Sequence, residues 1–299
     1  MILRELLSAS FFPFALIAAT SAAVRLQASG ASAGAATALV LVPFVLIVLL
    51  LEQLFPFDRG WNRGRGDLRA DVSFAALVRV PESAAAGVGH VGFVALTGLG
   101  TSGLSRLPWG LQLGLILLAA DLGKYLLHRR GHVRPSWWRF HSIHHAPERI
   151  YVLNGLRLHP INLLWNAAFD VALPIVLGVS SKVVVIAGTL RGVVAILQHA
   201  NLPLRFGPLN YVFSTNELHR YHHSIRLEEG QRNYGSTFIV WDLLFGTYRG
   251  AQGRARPAAV GLGDAAAVPR AVLGQLLWPF CGAKLHTTCF SPRLRALLR

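Results

Sequence analysis

Phe140-His141-Ser142-Ile143-His144-His145 places three imidazoles at positions i, i+3 and i+4. On an α-helix those side chains share one face, stacked about a turn apart. The spacing returns in His219-Arg220-Tyr221-His222-His223, and His128-Arg129-Arg130-Gly131-His132 gives i, i+4 just upstream. Three imidazole clusters in one chain call for a metal. The only cysteines are Cys281 and Cys289. That excludes a disulfide framework, an iron–sulfur cluster and a thiolate zinc site, so histidine must do the holding.

The clusters sit in an apolar chain. Of 299 residues, 53% are hydrophobic and 14% charged, and the mean hydropathy is +0.45. An ordinary soluble domain is less apolar and more charged. The expected class is all-α: a multi-pass helical membrane protein with a cytoplasmic helical cap carrying the histidine boxes. The formal charge of +15 comes almost wholly from arginine. The arginines gather in loops between apolar runs, as cytoplasmic loops do. They are not interleaved with exposed aromatics on polar segments, which argues against nucleic acid as a partner.

Residues 11–24 read equally as a cleavable signal peptide or a first membrane helix. Residues 36–57 exceed the roughly 20 residues a bilayer requires. A weaker span at 84–100 contains His90 and overlaps two GxGxxG matches, at 87–92 and 98–103. Neither match has the strand and later acidic residue of a dinucleotide site, so close helix packing is expected there. Residues 108–127 return the chain to the arginine-rich side. Residues 161–179 and 182–200 read as a hairpin that dips into the membrane and returns. Its arms place Asp170 and Arg191 at one depth, which predicts an ion pair, and set His159 level with His199. The expected organisation is 1–107 as about three membrane helices, 108–250 as the histidine-box region, and 251–299 as a tail with an interfacial helix at 271–280. Threaded this way from a cytoplasmic N-terminus, ten of the twelve histidines fall on one face. That face also carries the arginines of 59–69, 129–157 and 205–256.

Neutral imidazole binds iron, zinc and copper well, and one metal rarely takes more than six ligands. Ten histidines therefore suggest two neighbouring metals. The HExxH motif of zinc hydrolases is absent, and so is the Glu-x-x-His motif of carboxylate di-iron bundles. A bis-histidine haem would need lone histidines deep in facing helices. A histidine-rich membrane metal-binding or transport protein without oxygenase activity stays open. Asp121 lies seven residues before His128 on the same helical face. It either orients a ligand from behind or pairs with Lys124 or Arg129. Glu217 and Asp242 are candidates for the same orienting role.

HRRGH, FHSIHH and HRYHH, in that order, resemble the histidine boxes of the fatty acid hydroxylase (sterol desaturase) superfamily. Asp121-x3-Tyr125-x2-His128-Arg129, Gln198-His199-Ala200-Asn201, Asn233-Tyr234-Gly235 and the WDLLFGTY stretch at 241–248 are similar to members as well, so the resemblance covers roughly 115–250. It implies two non-haem irons (zinc can replace them in purified protein) and O2 as co-substrate. It also implies a membrane lipid that is hydroxylated or desaturated. The ligand set it implies is His128, His132, His141, His144, His145, His199, His219, His222 and His223. Some relatives have a further histidine four residues before His199, where this chain has Ala195, and His159 is the candidate for that tenth place. Electrons must come from an external ferredoxin, cytochrome, reductase or pterin. Arg129, Arg130, Arg139, Arg220 and Arg226 would suit an acidic donor or anionic lipid head groups equally. The implied location is the cytoplasmic face of a membrane, the cell membrane in a bacterium.

Overall fold

The computed structural model describes residues 2–79, 103–251, 256–263 and 268–281. It is about 70% helical. The described residues contain no strand, only isolated bridges at Phe213–Phe238 and Ser224–Val260. The expected span at 84–100, His90, both glycine motifs apart from Gly103, and Cys289 lie outside the described residues.

The chain runs through α1 (Ile2–Ala28), α2 (Ala33–Leu54), α3 (Leu68–Phe74), α4 (Trp109–Val133) and α5 (Pro135–His145). It continues through α6 (Pro160–Val176), α7 (Ser181–Gln198), α8 (Asn216–His222), α9 (Val240–Leu244) and α10 (Val272–Cys281). Among the described residues, four helices are long and apolar enough to cross a membrane: Arg4–Ala28 of α1, and α2, α4 and α7. The outer faces of α1, α2 and α4 carry Phe14, Ile17, Leu39, Leu46, Leu50, Leu115 and Leu118, which suits a hydrocarbon solvent. Ser32 starts α2 by accepting from the Ala35 amide, and Pro135 starts α5 at a position where a missing N–H costs nothing.

α7 is the central helix, packed against α1, α2 and α4. Phe12, Phe44, Val48, Val193 and Leu197 fill its contacts with α1 and α2. Arg205, beyond the end of α7, donates its amide to Ser8 and pairs with Glu5 near the start of α1. The Phe57 amide, just past α2, donates to the Asn201 carbonyl. The start of α1 and the ends of α2, α4 and α7 therefore gather at one end of the bundle.

The descending arm of the hairpin departs from a plain span. α6 contains a π-helical turn at Ala168–Ala172 and is shorter than the four long helices. Asp170 stands in that turn. Its carboxylate meets Arg191 at 3.4 Å, as expected, but Lys124 of α4 lies closer, at 2.9 Å. Lys124 is thus committed to Asp170, and Asp121 instead accepts from the Thr237 and Phe238 amides. The hairpin turn is fixed by the Leu104 and Ser105 amides, which donate to Leu177 and Gly178. A Cβ on Gly103 would lie 2.2 Å from the Leu177 carbonyl oxygen, so only glycine fits.

Around the histidines a cap is tied by buried ion pairs. Arg149 grips Asp67 at 2.7 Å and Arg157 grips Asp71 at 2.5 Å, while the Tyr151 hydroxyl also donates to Asp71. α10 docks against α5, where the Trp278 indole donates to Ser142.

Candidate metal centre

α4 and α5 are separated by Arg134 alone, which turns the first cluster directly onto the second. The segment after α7 brings His199, and α8 brings the third cluster. Nine histidines gather in two adjoining groups. His128, His132, His141, His145 and His222 form one, and His144, His199, His219 and His223 form the other. Within each group, one ring nitrogen per residue lies within 4.8 Å of all the others. The i, i+3, i+4 spacing explains the division. α5 gives His141 and His145 to the first group and His144 to the second. α8 reverses this, giving His222 to the first and His219 and His223 to the second. The groups touch where the His145 and His223 rings stack at 4.2 Å. No carboxylate belongs to either group.

The ring nitrogens are set from behind. His128 Nδ1 meets the Tyr234 carbonyl at 2.7 Å, His222 Nδ1 the Arg232 carbonyl at 2.8 Å, and His199 Nδ1 the Asn154 Oδ1 at 2.8 Å. Each acceptor fixes a proton on Nδ1 and leaves Nε2 with a free lone pair. Asn162 lies 3.2 Å from His141 Nδ1. A half-turn of its amide brings the otherwise unpartnered Oδ1 to the same place, where it accepts the Nδ1 proton as the other acceptors do. Trp138 and Tyr234 wall the first group, their rings each 5.2 Å from His132.

The Nε2 atoms face one another within the groups: His141 and His145 at 3.1 Å, and His219 with His199 at 2.9 Å and with His223 at 3.1 Å. His128 Nε2, His132 Nε2 and His222 Nε2 are buried and make no hydrogen bond. A stranded buried polar atom costs about 1–3 kcal/mol, and a cation relieves several at once. Burial holds His141, His144, His145, His219, His222 and His223 well below the usual histidine range, with neighbouring imidazoles pushing the same way. Burial alone brings His199 down to about 3. The rings are therefore neutral at physiological pH, the form that binds metal. The donor set fits one or more metal ions.

Other candidates stand elsewhere. His159 joins neither group. It caps α6, its Nδ1 accepting from the Ile161 amide while Nε2 faces the Leu276 carbonyl at 3.1 Å. Both nitrogens are engaged, which corrects its expected place as a tenth ligand. Glu217 touches no histidine either; it accepts from the Phe206 amide and from Asn210. Asp242 acts one step removed, taking the Tyr234 and Gly235 amides and the Thr247 hydroxyl. Arg220 is buried over the Phe57 ring and donates to the Leu202 carbonyl, so it is unavailable to a docking partner. Asn154, Asn162 and the carbonyls of Arg232 and Tyr234 are functional groups the sequence did not single out. Only Tyr234 lay in a stretch marked by resemblance.

A family model described as fatty acid hydroxylase matches residues 113–247. The chain is 33% identical over 244 residues to the ornithine lipid hydroxylase OlsE of Rhizobium tropici, covering 79% of this chain and 73% of that protein. It is 26% identical over 208 residues to an alkylglycerol monooxygenase of Xenopus tropicalis, covering 69% of this chain and 46% of that one. It is also 30% identical over 138 residues to the very-long-chain aldehyde decarbonylase GL1-8 of Oryza sativa subsp. indica, with 46% and 51% covered. The chain thus spans about three quarters of the first relative and about half of the other two. No solved structure matches the chain.

Proposed function

The chain belongs to the fatty acid hydroxylase family, and from that membership we propose that it is a membrane-bound di-iron monooxygenase that hydroxylates a polar lipid. One observation carries the reading: nine imidazoles, seven of them buried, in two adjoining groups without a carboxylate. Hydroxylation is preferred to desaturation because two of the three relatives above bear the name hydroxylase or monooxygenase.

His128, His132, His141, His145 and His222 would hold one iron, and His144, His199, His219 and His223 the other. Iron bound there would supply the reductive activation of O2 needed to attack an unactivated C–H bond. The balance is one C–H bond, O2, two electrons and two protons giving C–OH and water. Electrons come from an external ferredoxin, cytochrome, reductase or pterin, because the donor set contains no redox group of its own. The chain's residues do the rest. Tyr234, Arg232 and Asn154 hold the Nδ1 protons so that the rings keep their aim. Trp138 and Tyr234 exclude water from the first group. Arg130, Arg134, Arg139 and Arg226 are exposed near the boxes and fit an acidic donor or anionic head groups. The arginine-rich end of the bundle is read as the cytoplasmic face.

The test is purified protein in lipid nanodiscs, assayed for metal and then for reductant-driven O2 consumption. The lipid panel should include an ornithine lipid and an alkylglycerol. Two irons per chain and a product heavier by one oxygen atom are expected. Fewer than two metals per chain, or metal binding without oxygen uptake on any lipid, would overturn the reading.

A further inference from the structure

We propose that Glu52, on the membrane helix α2, is a positioning residue that sets His199 for its metal. The inference rests on the metal reading above. No histidine of either group lies on α2, yet the Glu52 carboxylate on its last turns holds the backbone of the two segments that carry Asn154 and His199. Glu52 is 1% exposed. Its Oε1 accepts two backbone amides at once, Val152 at 2.9 Å and Asn201 at 2.7 Å. Val152 opens the short helical turn Val152–Leu156, which carries Asn154. Asn201 stands two residues beyond His199. The two segments joined on that single oxygen are the ones whose side chains meet at the Asn154 Oδ1–His199 Nδ1 bond.

The join is tight. A Cβ on Gly155 would lie 2.8 Å from the His199 ring, so the turn already sits in contact with the imidazole and a small shift would move it. The surroundings fix Glu52 in turn. Asn62 donates to the Glu52 carbonyl, and the Asn201 side chain bonds Asn62 and Asp58. Oε2, by contrast, is buried without a partner among the described residues. Recruiting two amides with one oxygen is an acceptor's task that a neutral amide can also perform. Glu52→Gln therefore keeps the bridge and places its NH2 where no bond is made, whereas Glu52→Ala releases both segments.

The experiment measures iron per chain and the affinity of each equivalent by anaerobic Fe(II) titration against a chelator, in full-length protein. Wild type and E52Q should hold two irons. E52A should keep one at wild-type affinity and bind the other about 10- to 100-fold more weakly, the size of effect seen when a ligand's hydrogen-bond support is removed. Val48→Ala supplies the control: it thins the core on the same helix, where Val48 is 0% exposed, and should retain both irons. Should E52A fail to accumulate, E52D, which withdraws the carboxylate by one methylene, should show the same single weakened site. Both irons held at wild-type affinity by E52A or E52D, the same loss in V48A, or E52Q behaving as E52A would each overturn the assignment. A wild-type protein that binds no iron would instead refute the metal reading, so the two failures are distinguishable.

Discussion

Asp242→Ala should loosen the five-histidine group without touching a histidine. The carboxylate collects three donors: the Tyr234 amide at 2.8 Å, the Gly235 amide at 2.7 Å and the Thr247 hydroxyl at 2.6 Å. The Tyr234 carbonyl in turn faces His128 Nδ1. Alanine strands two buried amides, while the Thr247 hydroxyl can turn to the Tyr125 oxygen 2.9 Å away. At about 1–3 kcal/mol for each stranded donor, the loss is roughly 4 kcal/mol. Burial pushes the Asp242 carboxyl above its ordinary range, so removing it returns part of the desolvation cost. The net expectation is about 3 kcal/mol, or on the order of a hundredfold in the folding equilibrium. The turn has little room to readjust: Asn233 is left-handed at φ 57°, and a Cβ on Gly235 would sit 2.1 Å from the Phe238 carbonyl oxygen. The assay is denaturant unfolding of the metal-free protein in detergent, followed by iron titration. A wild-type midpoint together with wild-type iron affinity would refute the idea that this carboxylate braces His128.

Acid should destabilise the metal-free protein. His141, His144, His145, His199, His219, His222 and His223 are neutral when folded and sit below the ordinary histidine value of 6.5. The unfolded chain therefore binds more protons, and stability falls as pH drops below about 6.5, by about 1.4 kcal/mol per unit for each such histidine. A flat unfolding midpoint between pH 7.5 and 5.5 would contradict this. Asp170→Asn leaves Lys124 and Arg191 without their shared anion and should cost about 3 kcal/mol, seen as reduced yield of folded protein; unchanged yield would show that the trio carries no stability. Gly155→Ala drives a methyl against the His199 ring and should weaken one iron by about 10-fold or more, which the titration described for Glu52 would detect; unaltered binding would mean the ring has room to move.

Local spacing made the imidazole groups legible, because i, i+3 and i+4 on a helix fix a shared face whatever the tertiary setting. Hydropathy made the long helices legible for a similar reason. What the sequence hid depends on contacts distant along the chain. Asn154 and Asn162 carry no periodic signal; they matter because the 149–162 segment folds against α5 and the end of α7. Depth arithmetic in the hairpin found Asp170 and Arg191 but missed Lys124, since it compared the two arms only with each other. The same arithmetic drew His159 toward the site by assuming a regular arm. The Pro160 start makes His159 a cap, and the π turn breaks the arm's regularity. Arginine clusters marked one end of the bundle, yet composition could not separate the exposed Arg139 from the buried Arg220.

The four-histidine group is assembled from residues 144, 199, 219 and 223, with the hairpin lying between the earliest of these and the rest. This order has a consequence for biosynthesis. A ribosome that has delivered only α5 has delivered a single donor to this group, and both hairpin arms must be seated before the others can meet it. Metal loading of this group would therefore follow seating of the hairpin, whereas four donors of the other group, His128, His132, His141 and His145, are made before it.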